Sequence, residues 1–104
     1  MEIDFEQVFR NMLVAARDRL DAQGPRARDY FRKVLEQQKD VLARLARDRV
    51  SGALSDEDLR MELEAVRADV AAALEGLETI AREAVDGAWN AAVGVLLEAV
   101  KAAL

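Results

Sequence analysis

The chain of 104 residues contains no cysteine and no histidine. That removes disulfides, thiolate chemistry, imidazole acid–base catalysis and nearly every zinc, haem or iron–sulfur site. Proline occurs once and glycine five times, with no repeated turn clusters, so the punctuation of a many-stranded β protein is missing. Aromatics are sparse, at 5%. What is abundant is alanine, leucine, arginine and glutamate, all strong helix formers. Apolar residues at 52% and charged residues at 34% are enough for a buried core inside a solvated shell. The length suits one domain, spanning residues 1–104, and the expected class is all-α.

No stretch has the pattern of a targeting or membrane-spanning segment. Glu2, Asp4 and Glu6 make the start acidic, the opposite of a secretory signal. The most apolar run, Ala88 to Leu104, has 17 residues and includes Glu98 and Lys101, short and charged for a bilayer span of about 20 residues. A cytoplasmic location is the expectation. Twenty acidic against fifteen basic side chains leave a net charge of −5, which disfavours general affinity for nucleic acid. Twelve of the fifteen cations are arginine, and with the abundant alanine this composition suggests a GC-rich bacterial or phage coding sequence.

Four helices are predicted, at about 5–22, 26–50, 56–86 and 88–104. Asp4 with Gln7 has the form of an N-cap and weak capping box, followed by an apolar face of Phe5, Val8, Phe9, Met12, Leu13, Ala16 and Leu20. Gly24 and Pro25 separate the first helix from the second. The second carries Ala27, Tyr30, Phe31, Val34, Leu35, Val41, Leu42, Leu45 and Ala46 as one stripe, interrupted by Gln38 alone. That glutamine either fixes register as a polar layer or bends outward, leaving its methylenes in the seam. Ser51 and Gly52 break this helix. Ser55 as N-cap, Asp58 at the capping-box position and the Leu54–Leu59 staple start the third.

The third helix keeps its stripe from Leu59 through Leu63, Val66, Val70, Leu74, Leu77 and Ile80 to Val85. Past Gly87 the bulky residues Trp89, Val93, Leu96, Leu97, Val100 and Leu104 centre about 145° from that stripe, which continues only in small residues. The last helix is therefore either long and continuous or kinked at Gly87. In both cases it is apolar on two faces and needs more cover than a small domain has to spare. Residues 26–49 carry +4 and residues 56–86 carry −7 (eight minus four; three minus ten), so the second and third helices should pair as an antiparallel hairpin within a bundle of three to four helices.

Several chemical constellations have a simpler structural explanation. Glu75, Glu78, Glu83 and Asp86, written E-x-x-E and E-x-x-D, resemble over twelve residues the metal-binding arrangement of the MazG-like all-α nucleotide pyrophosphohydrolases. That resemblance implies a magnesium-dependent nucleotide hydrolase. The family, however, spreads its acidic pairs over two facing helices, whereas one predicted helix carries both pairs here, too far apart to share an ion with ligands at about 2.1 Å. Asp56, Glu57 and Asp58 suit the positive end of a helix dipole. Ser51, Ser55, Thr79 and Tyr30 lack a histidine base and a nucleophile elbow, and the glycines are too scattered to cradle phosphate. The cations Arg26, Arg28, Arg32, Lys33, Lys39, Arg44, Arg47 and Arg49 crowd the second helix beside Tyr30 and Phe31, which suit the core better than base stacking.

No catalytic residue, metal ligand or cofactor is therefore expected. The expected function is non-enzymatic: a helical assembly or protein-interaction module that forms a homo-oligomer through its C-terminal segment. Trp89, Val93, Leu96, Leu97, Val100 and Leu104 would form the contact, with a heterologous protein as another possible partner. The alternative is an amphipathic binder of a lipid or apolar particle surface using the same residues, although few cations flank them. The third reading is a small metal-dependent nucleotide hydrolase.

Overall fold

In the computed structural model, which describes residues 3–75 and 81–104, five α-helices follow one another without strands among the described residues. They are α1 (Phe5–Arg19), α2 (Pro25–Gln37), α3 (Lys39–Ser51), α4 (Asp56–Leu74) and α5 (Arg82–Ala103), with a short 3-10 turn at Asp21–Gln23 between the first two. The bundle measures 40 × 22 × 19 Å.

The local signals at helix starts operate as side-chain caps. Asp4 accepts a hydrogen bond from the Gln7 amide at 3.3 Å and Ser55 from the Asp58 amide at 3.0 Å. Each satisfies one of the amides that a helix start leaves without a carbonyl. Gly24 and Gly52 sit at φ 93° and 87°, where a side chain would be strained, and turn the chain out of one helix toward the next. Leu20 follows α1 as a fully buried residue, and the first helix ends at Arg19, three residues before the predicted end at 22.

Two expectations about helix extent are corrected. The predicted helix 26–50 is two helices that meet at Gln38, whose φ of −97° and ψ of 2° interrupt the α geometry for one residue. The Gln38 amide donates to Leu35 O at 2.9 Å, the tight i−3 bond that closes a helix, while its carbonyl accepts from Leu42 N at 2.9 Å to start the next. The interruption divides the stripe between different neighbours. Ala27, Phe31, Val34 and Leu35 of α2 face α1 and α4, whereas Leu42, Leu45 and Ala46 of α3 face α4 and α5. Gln38 itself is half-buried at the junction.

The predicted helix 56–86 ends at Leu74, and Val85 and Asp86 belong to α5. Leu77 and Ile80 of the predicted stripe, with Glu78 and Thr79, lie outside the described residues. Gly87 is inside α5, which runs through it as α-helix; the chain is extended at Ala81, so the change of direction precedes Arg82. The phase jump in the sequence is real, but it results from a separate helix that starts earlier.

α5 lies chiefly along α1. The Ala81 amide donates to Oε1 of Gln23 at 3.3 Å, which places the start of α5 beside the end of α1, so the two helices run antiparallel. Ala88 and Ala92 are fully buried on α5, as is Met12 on α1. With only a methyl group at each alanine, the two backbones can approach closely, and Trp89, Leu96 and Val100 fill the space beside them. The buried members of both apolar sets, Val85, Ala88, Trp89, Ala92, Leu96 and Val100, fall within one inward arc of about 120°, at 100° per residue.

Ion pairs join the helices at the surface. Lys39 of α3 reaches Glu6 of α1 at 2.8 Å and lies 5.5 Å from the centre of the Phe9 ring. Arg67 of α4 reaches Asp86 of α5 at 3.5 Å. Exposed pairs of this kind contribute about 0 to 1 kcal/mol each, against about 1.5 to 3 kcal/mol for burying one large apolar side chain. The core decides the fold.

Candidate interaction surface

The six residues expected at the contact separate into two groups. Trp89 (3% exposed), Leu96 (0%) and Val100 (3%) are buried within the chain, committed to the core that α5 shares with α1 and α3. Val93 and Leu97 are half-buried, and Leu104 is 62% exposed. At 100° per residue these last three fall within about 40° of one another, along one border of the inward face. They form an apolar edge that the rest of the chain covers only in part.

Beside that edge α5 turns a polar and small-residue face to solvent, with Glu83, Asn90, Gly94, Glu98 and Lys101 exposed. Gly87 is half-buried. Its cations are few: Arg82 at its start and Lys101 in its last turn. Elsewhere among the described residues the larger exposed apolar side chains, Val14, Tyr30 and Met61, lie on three different helices. Tyr30 was expected in the core stripe, but the buried positions of α2 are Ala27, Phe31, Val34 and Leu35, which leaves it at the rim.

The chemical constellations do not converge. Glu75 caps the end of α4, while Glu83 and Asp86 lie on α5, and Asp86 is engaged by Arg67. The carboxylates thus belong to two elements, and among the described residues no three His, Cys, Asp or Glu side chains are placed to hold a metal ion. Ser51 donates its hydroxyl to the Asp48 carbonyl at 3.1 Å, and Ser55 is occupied as a cap. A groove of about 390 Å³ between α1 and α2 is lined by Leu13, Leu20 and Phe31 with Arg17, Arg28 and Arg32, and contains a single acid, Asp29.

Several cations of α2 and α3 are already in contact with acids. Arg28 pairs with Asp21 at 3.1 Å, and Arg32 with Asp29 at 2.6 Å and Glu36 at 2.9 Å. Lys33 lies 3.4 Å from Asp29. The hydrogen bond from Arg32, followed by that from Lys33, holds the Asp29 carboxyl below the usual carboxylate range. Arg67 is shifted further toward its protonated form, first by its hydrogen bond to Glu64. No described helix is long and apolar enough to cross a membrane.

Comparison with known proteins finds no family model, no curated protein and no solved structure that matches this chain. Its own surface is therefore the guide to what it does. The feature that sequence reasoning missed is the Gln23–Ala81 hydrogen bond, which fixes the start of α5. A loop glutamine 58 positions from its partner leaves no local pattern in the chain.

Proposed function

We propose that this protein is a non-enzymatic assembly module whose copies associate through the partly covered edge of α5. The observation that carries the reading is that Val93, Leu97 and Leu104 share one border of α5, where Leu104 is exposed and Val93 and Leu97 are only half-buried after α1 and α3 have packed against that helix. Bulky aliphatic side chains left in water along a rigid helix supply the driving force for association. Trp89, Leu96 and Val100 act in this reading as the internal support that holds the edge straight. The scarcity of cations along α5 favours a protein surface over an anionic lipid surface.

The test is mass in solution by light scattering across a dilution series, extending to about 50 μM so that a micromolar dissociation constant is sampled. A concentration-dependent rise above 11.5 kDa is expected. Leu97→Glu should return the protein to a monomer of unchanged helicity. A monomer at every concentration would end the proposal, and co-flotation with liposomes in its place would transfer the edge to a membrane role.

A further inference from the structure

The outward face of α5 has a repeat that its own fold does not use. Glu83, Gly87, Asn90, Gly94, Leu97, Lys101 and Leu104 follow one another in steps of four, three, four, three, four and three, the spacing of a coiled-coil seam. Two of these positions are glycine, one heptad apart, in the interior of a 22-residue helix. Glycine there weakens a helix relative to alanine. Nothing in the protomer requires it, because neither glycine has a positive φ and, among the described residues, nothing lies within 4 Å of where a Cβ would sit.

We infer that α5 pairs with α5 of a second copy of this chain, antiparallel about a two-fold axis between Asn90 and Gly94, at the close separation glycine permits. This rests on the self-association reading and specifies its geometry. In that register Glu83 lies opposite the partner's Lys101, Gly87 opposite the partner's Leu97, and Asn90 opposite the partner's Gly94. The two-fold axis repeats each match, so two Glu–Lys pairs close the ends and two leucines seat over glycines. A parallel pairing would set Glu83 against the partner's Glu83 and Lys101 against the partner's Lys101, with leucine meeting leucine over empty glycine positions. Charge and size are thus complementary only head to tail. Axes about 8 Å apart, the short end of helix packing distances, would bring the half-covered Val93 and Leu97 edge of each copy under the other.

Because the chain has no native cysteine, engineered ones report geometry directly. Gly87→Cys together with Leu97→Cys in one chain should oxidise to a covalent dimer, since residues 87 and 97 face each other across the axis. Either cysteine alone should not cross-link, because like positions lie about 15 Å apart along the helices, beyond disulfide reach. Cross-linking of the single variants instead would mean a parallel pair and would overturn the inference. Charge reversal gives an independent readout: Glu83→Lys or Lys101→Glu should each weaken association by roughly tenfold, and the double reversal should restore it. Gly94→Leu should abolish the dimer while keeping the protomer folded, since a Cβ at this exposed position meets nothing within 4 Å.

A wild-type dimer that neither cross-links at 87 and 97 nor responds to charge reversal would refute this register while leaving self-association standing. A wild-type monomer at all concentrations would remove both.

Discussion

Leu96 and Leu97 are sequence neighbours separated by about 100° around α5, and the fold gives them opposite roles. Leu96 has no exposed surface, whereas Leu97 lies at the edge of the core. Truncating a fully buried leucine to alanine removes its transfer free energy and leaves a cavity, a loss of about 2 to 5 kcal/mol. That is a large share of the total stability of about 5 to 15 kcal/mol expected for a domain of this size. Leu97→Ala, already part-solvated, should lose about 1 kcal/mol or less. Urea unfolding followed by helix circular dichroism measures both, at protein concentrations low enough that association does not add to apparent stability. With a slope of about 1 to 3 kcal/mol per molar urea, Leu96→Ala should lower the midpoint by about 1 M or more. Leu97→Ala should shift it by a few tenths. Light scattering on the same pair should show the reverse order, with Leu97→Ala the more damaging to association. Equal destabilisation by the two substitutions, or a larger loss at Leu97, would mean that α5 is rotated from the orientation described here and that the proposed edge faces inward.

Other expectations follow from single contacts. Ser55→Ala removes the acceptor for the Asp58 amide and should destabilise the protein by about 0.5 to 2 kcal/mol in the same urea assay, whereas Ser55→Asp should be nearly neutral. The Asp29 carboxyl, held low by Arg32 and then Lys33, is more acidic folded than unfolded. Its contribution is therefore complete above the unfolded value and lost as pH falls through the lower folded one. A carboxyl titration by NMR should place Asp29 below the usual carboxylate range, and Arg32→Ala should raise it.

Much of the helical content was legible because caps are local. Ser55 and Asp4 perform the roles their spacing announced, and the buried positions Leu59, Leu63, Val66, Val70 and Leu74 reproduce the stripe of α4. Breaks without glycine or proline were not. At Gln38 a segment that reads as one helix divides in two, and the halves then pack on different neighbours, which is a tertiary fact. Near the start of α5 the phase jump was visible, yet Gly87 attracted the break as the nearest residue with low helix propensity. Its unused position on an outward face had no signature in the chain alone. The two-faced character of the C-terminal segment suggests, from sequence, more apolar surface than one chain covers. In the fold, alanines and bulky side chains share one inward arc, leaving a narrower edge of Val93, Leu97 and Leu104.

The antiparallel match of α1 with α5 also determines when this molecule can finish folding. Gln23 and its bond partner are 58 positions apart, so a ribosome adding about 5 to 20 residues per second makes the first element wait some seconds for its mate. During that interval Val8, Phe9 and Met12 have no permanent cover. Charged Glu6, Arg10 and Arg17 around them, or transient shelter from α2, must keep the nascent chain from clumping before the final helix emerges.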